Sequence, residues 1–202
     1  MADNEAKSDK MMTDGDKLTG LQKLLQQFKD QKYPPVHLWE PDYCGDIDIR
    51  IASDGTWFYM GTPIGRQRLV NLFSSVLRLD DDGCYYLVTP VEKMKITVDV
   101  APLMVVRMKI EEKDGNQAIF FETRTSDMVL LSADNPLWVE SKGENDEPQP
   151  FVMVRSNLKA LIARSVFYEL VSRADEVEKD GKTVFQISSM GTTFQLGEVP
   201  HE

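Results

Sequence analysis

The sequence predicts an α+β protein made of two related domains, each a mostly antiparallel sheet with a packed helix. Three observations carry this. A strand, helix, turn and strand occur twice, as Trp57–Met60, Ile64–Arg78, Asp82-Gly83 and Tyr85–Val88, then as Phe151–Val154, Leu158–Ser172, Asp180-Gly181 and Thr183–Ile187. Leu72-Phe73 and Val76-Leu77 align with Val166-Phe167 and Leu170-Val171 at a constant offset of 94 residues. Four Asp-Gly pairs, beginning at Asp54, Asp82, Asp114 and Asp180, suit the positive φ angles of tight hairpins and so favour antiparallel pairing.

The elements follow in order. Residues 1–16 hold five acids and two lysines with no apolar period, which predicts a disordered acidic tail. The N-terminal domain then runs over 17–98. Leu18, Leu21, Leu24, Leu25 and Phe28 recur at helical spacing, and Tyr33-Pro34-Pro35 should end that helix, since a residue before proline avoids the helical region. Its stripe is core material or a partner-binding face. Asp46, Asp48 and Arg50 alternate with Ile47, Ile49 and Ile51, placing charge on one face of a strand and core on the other.

Thr62-Pro63 reads as a helix start, with threonine capping and proline at the first helical position. The following helix carries Leu69, Val70, Leu72, Phe73, Val76 and Leu77 on one face, as a helix lying on a sheet does. The C-terminal domain spans 99–198. Its strand candidates are Leu103–Ile110, Ala118–Thr123, Met128–Leu131 and Leu137–Val139, with an exposed acidic loop over Lys142–Pro150 and a more enclosed helix over Leu158–Ser172.

Composition limits the function. At 202 residues and 42% hydrophobic content, the chain can bury about 70% of its unfolded surface. Cys44 and Cys84 are too few for a disulfide framework and match no zinc spacing. No basic-then-apolar leader and no apolar run of membrane-spanning length occurs, so the expectation is a cytoplasmic protein with no membrane partner and no cofactor. A net charge of −10 argues against a long nucleic acid, whose affinity rests on phosphate neutralisation. The Cys44–Arg78 stretch is nevertheless slightly basic, with Arg50, Arg66, Arg68 and Arg78 against three acids, leaving room for a small anion.

Candidate site residues come from this stretch and its neighbours. Arg66 projects towards the apolar side at the positive end of the helix dipole, where a cation is unfavourable unless balanced. It either lays its stem on the core and pairs with an internal carboxylate, or joins the helix-start amides and the Gly61 backbone in an anion pocket. Asp46 and Arg50 form a solvated face or a cleft wall. Glu92 and Lys93, after Thr89-Pro90, are a surface pair or cleft partners of Arg66 and Asp46. In His37-Leu38-Trp39, the segment is a packed flap or Trp39 is a stacking platform. No GxSxG, P-loop or dinucleotide fingerprint is present.

The block from His37 to about Tyr168, dense in CGDIDIRIASDGTWFYMGTPIGRQRLVNLFSSVLR and YYLVTPVEK with weaker agreement through VDVAPL and ARSVFYELV, resembles the bacterial domain-of-unknown-function family 1285. The resemblance implies duplicated α+β domains, a C-terminal half similar to pleckstrin-homology folds, and a ligand site where the halves meet. It also implies a nucleotide-like or nucleic-acid-derived ligand and a signalling role, with no established activity. Carried over by position, it highlights Trp39, Asp46, Arg50, Asp54, Trp57, Arg66, Arg78, Glu92 and Lys93. Around Val98–Leu103 the chain departs from the family's acidic pair before Ala-Pro and aromatic after it, which weakens any role carried over to that crossover segment.

The expectation is therefore a non-enzymatic binding or regulatory module with a small anionic or nucleotide-like ligand in the inter-repeat cleft. Arg66 would hold the anion, Trp39 or Trp57 would stack, and Asp46 or Glu92 would orient the arginine. The rival readings are a protein-interaction adaptor in signalling, or an enzyme using Asp46, Glu92 or His37 as acid or base.

Overall fold

A computed structural model describes residues 33–142 and 147–200, together with isolated positions 15, 19 and 23. The predicted acidic tail and the leucine-striped helix lie, apart from those positions, outside the described residues. Among the described residues no helix is long and apolar enough to cross a membrane.

The first half is a six-stranded sheet, built from β1 (Tyr43–Ile51), β2 (Trp57–Tyr59), β3 (Thr62–Pro63), β4 (Leu77–Leu79), β5 (Tyr85–Val88) and β6 (Lys93–Val98) in the spatial order β3-β2-β1-β6-β5-β4. Every pairing is antiparallel except the central β1 with β6. The second half repeats that plan with β7 (Leu103–Lys113), β8 (Asn116–Thr123), β9 (Met128–Leu130), β10 (Leu137–Lys142), β11 (Glu147–Arg155) and β12 (Leu158–Ile162), in the order β10-β11-β12-β7-β8-β9. Here β7 and β12 form the central parallel pair. A third sheet, β13 (Asp175–Lys179), β14 (Lys182–Ser189) and β15 (Thr192–Pro200), completes the chain.

The duplication is thus real, and its unit is the six-stranded sheet. The two helices matched at the offset of 94 residues are not counterparts: α1 (Gln67–Ser75) is inserted between β3 and β4, whereas α2 (Arg164–Val171) follows β12. Both must cover an apolar sheet face, so both present Leu, Val and Phe at a period of 3.6. Leu158, Ala160 and Ile162 are buried at a period of two and form a strand, although Leu158, Leu161 and Ile162 also satisfy helical spacing.

Three further elements differ from expectation. Thr62-Pro63 is no helix cap; it pairs with Phe58 and Tyr59 as β3, because Met60 and Gly61 take positive φ (47° and 71°) and turn the chain back. The helix starts at Gln67 behind an extended Arg66 that makes no side-chain cap, and it ends early enough for Leu77–Leu79 to enter the sheet as an edge strand. Lys142 and Glu147 to Pro150 are strand rather than loop, with Lys142 opposite Glu147 and Ser141 opposite Pro148. All four Asp-Gly pairs fall in hairpin turns, between β1 and β2, β4 and β5, β7 and β8, and β13 and β14.

One core cluster spans both halves. Ile47, Ile49, Ile51, Trp57 and Phe73 from the first join Leu103, Val105, Phe121 and Leu158 from the second. Trp57 stacks on Phe73 of α1 with ring centroids 6.3 Å apart, which places α1 on the isoleucine face of β1. Gly55 marks a close approach: at φ +77° its missing Cβ would sit 3.0 Å from the Met104 Cβ of β7.

Candidate ligand site in the crevice between the halves

Register sorts the first sheet into two faces. Asp46 lies beside Lys95, Lys95 beside Tyr86, and Tyr86 beside Arg78, so these side chains share the face that also carries Asp48, Arg50 and Lys93. Asp46, Asp48 and Arg50 are exposed, while Ile47, Ile49 and Ile51 are buried, as their alternation predicts. The opposite face is covered by α1 and the second half.

Where the β4 edge meets the β11–β12 turn, a crevice of about 930 Å³ opens. Its walls are β4, the β4–β5 turn, Lys93, the Tyr33–His37 segment and Arg155–Leu158, so both halves and the N-terminal segment contribute. Two arginines hold it together. Arg78 donates to Asp80 through Nε (2.5 Å) and NH2 (3.1 Å), and through NH1 to the carbonyls of Val36 (3.0 Å) and Trp39 (2.7 Å). Lys93 Nζ donates to the same Asp80 at 3.1 Å and lies 4.7 Å from the Tyr86 ring centre, a cation–π distance. Burial pushes the Asp80 carboxyl up, but hydrogen bonds from Arg78 and Lys93 outweigh it and hold the group below the usual carboxylate range.

Arg155 is the second staple. Its NH1 donates to Asp127 (2.6 Å), its NH2 to the Ser74 carbonyl at the end of α1 (2.6 Å), and its guanidinium sits 4.8 Å from the Tyr33 ring centre. Asp127, 3% exposed, also accepts from the hydroxyls of Tyr33 (2.6 Å), Thr123 (2.9 Å) and Thr125 (2.7 Å). Its own burial pushes the carboxyl pKa up, but the Arg155 charge and these donors outweigh that and hold the group below the usual carboxylate range. The Tyr33 hydroxyl is pushed up by burial and by that carboxylate. Asn157 Nδ2 adds a bond to the Leu79 carbonyl at 2.9 Å, so the seam is tied from both sides.

Of the sequence-predicted site residues, Arg78 and Lys93 line this crevice, and Trp39 touches it only through its carbonyl, its half-buried indole packing on the core. Arg66 does not turn inward. It is exposed beside a separate hollow of about 260 Å³ formed by Tyr59, Thr62, Pro63, Ile64, Gly65 and Leu69, with no residue of the second half. The reason is the late start of α1, which leaves Arg66 in extended chain before the helix. Trp57, 3% exposed against Phe73, offers no stacking surface. Arg50 makes a two-point pair with Asp99 (2.9 and 2.5 Å) on the outer sheet face, and Asp46 accepts from the Tyr43 hydroxyl. Asp54 caps its own turn through Thr56. Glu92 closes the β5–β6 turn through its backbone and Thr89, away from the crevice walls.

Sequence reasoning missed Tyr33, Asp80, Asp127, Arg155 and Asn157. Arg155-Ser156-Asn157 is a polar break between two apolar strands, which marks a turn and could have flagged the second arginine. Nothing in the sequence joins Tyr33 to Asp127 across 94 residues.

The model of the DUF1285 N-terminal domain, described as a domain of unknown function, matches residues 34–101, and that of the DUF1285 C-terminal domain matches 102–196. The chain belongs to the DUF1285 family. A crystal structure of a DUF1285 family protein from Silicibacter pomeroyi DSS-3 is similar to it, with 41% identity over 87% of this chain and 93% of that one and a TM-score of 0.76. A second DUF1285 family structure, from Shewanella baltica OS155, shares the fold at 22% identity over 64% of this chain and 94% of that one, with a TM-score of 0.51. No curated protein matches the chain. The two DUF1285 models divide the chain between Ala101 and Pro102, just before β7.

Proposed function

We propose that the protein is a cytoplasmic, non-enzymatic binding or regulatory module whose small ligand, bearing an anionic group, sits in the crevice between the halves. One observation carries the reading: the large crevice lies where β4, the β11–β12 turn and the Tyr33–His37 segment converge. Pockets of this size at domain boundaries are the usual place for small molecules. Lys93 is the anchor for the anionic group, because it shares one carboxylate with Arg78 and an ammonium has three donors. Arg78 and Arg155 support the walls, their guanidiniums spent on Asp80, Asp127 and backbone carbonyls. A nucleotide-like ligand fits the volume, with no exposed tryptophan on the walls to stack its base.

The test is native mass spectrometry of freshly purified protein for a retained small molecule, followed by calorimetric titration of the released compound. Lys93→Glu should abolish binding and Arg66→Ala leave it unchanged, with circular dichroism confirming that both fold. Retention that survives Lys93→Glu, or is lost in Arg66→Ala, removes the crevice from consideration.

A further inference from the structure

Beyond the anionic group, the charges around the crevice specify what else the ligand carries. Arg155 is matched by Asp127. Arg78 and Lys93 share Asp80 and Glu40 also acts on Arg78, so the cation left accessible to a ligand is the part-buried Lys93 ammonium. The remaining wall charges are all acidic: Glu40, Asp81 and Asp82. Asp82 accepts from the Tyr86 hydroxyl (2.6 Å) and the Cys84 amide (2.9 Å), and these neutral donors, with a smaller pull from Lys93 and Lys95, hold its carboxyl low. Glu40 and Asp81 are exposed and make no ion pair among the described residues. Leu79, half-buried, adds apolar wall, with the buried Leu77 and Leu158 behind it.

A purely anionic molecule would meet Lys93 but also three carboxylates. A purely cationic one would meet the carboxylates but also the Lys93 ammonium. Like-charge juxtaposition of this kind is how a site rejects a wrong partner. We infer that the crevice selects a zwitterion of the amino-acid class, its carboxylate on Lys93, its ammonium towards Glu40 and Asp81, and an apolar side chain on Leu79. This rests on the crevice being the ligand site, as proposed above.

The experiment is calorimetric titration of the full chain with the standard amino acids, with succinate and AMP as anions, and with putrescine as a cation. An apolar amino acid such as L-leucine should bind at least about tenfold more tightly than succinate, AMP or putrescine, the worth of one charged contact. Glu40→Gln/Asp81→Asn should weaken the amino acid by a similar factor while strengthening succinate, and Lys93→Met should weaken both. If succinate or AMP binds as well as or better than every amino acid, and Lys93→Met abolishes that binding, the zwitterion is overturned and the crevice reading stands. If no probe of any class binds, or binding is indifferent to Lys93→Met, both fall together.

Discussion

At Arg78 one guanidinium joins a carboxylate just past the end of its own strand to two carbonyls of the N-terminal segment. Its side chain is only 14% exposed, so removing it strands Asp80 with Lys93 alone and leaves two carbonyls without that donor. Arg78→Met is expected to cost about 2–4 kcal/mol, the range for breaking a largely buried charged hub, read as a lower urea midpoint at unchanged slope. The carboxylates set the pH response. Asp80 and Asp127 are both depressed in the folded chain, so their contribution is complete above the unfolded value of about 3.9 and is lost as pH falls through the lower folded values. Thermal midpoints recorded downward from pH 7 should therefore hold until near that value and then drop. Asp127→Asn should start lower and show a shallower acid decline; an equally steep decline would remove Asp127 from the account.

The elements most legible in the sequence are those whose period matches their burial. The isoleucines of β1 and the four Asp-Gly hairpins are of this kind, since each needs only local chemistry. The β2–β3 hairpin was not legible, because its turn begins with Met60 at φ 47°, a residue that gives no turn signal. Reading through it made Thr62-Pro63 a cap and moved Arg66 into the helix, and with it the presumed anion site. Met60→Asn, better suited to that backbone region, should raise stability by about 0.5–1 kcal/mol by thermal denaturation; a loss would mean that the methionine side chain, 59% exposed, matters more than its backbone. Arg78 and Lys93 meet on the crevice wall, but their joint carboxylate and the opposing Arg155 staple depend on contacts between residues far apart in sequence. No periodicity encodes such contacts.

At the scale of the whole molecule, one core cluster among the described residues joins all three sheets, and the seam between the halves is crossed by Arg155 to Ser74, Asn157 to Leu79 and Gln67 to Arg124. Calorimetry should accordingly show one unfolding transition rather than one for each half. Gly55→Val should lower that transition by roughly 1–3 kcal/mol, through both its positive φ and its collision with Met104. Pairing it with Met104→Ala should not rescue it, because the closest contact is the Met104 Cβ, which alanine keeps. The parallel pairing of β1 with β6 and of β7 with β12 also constrains how the chain is made. The midline of each sheet joins its earliest strand to its latest, so on the ribosome Tyr43 must wait for Lys93 before either has a neighbour there. A chain cut short before β6 holds two separate meanders with raw inner edges, open to pairing with another molecule, instead of a smaller version of the same sheet.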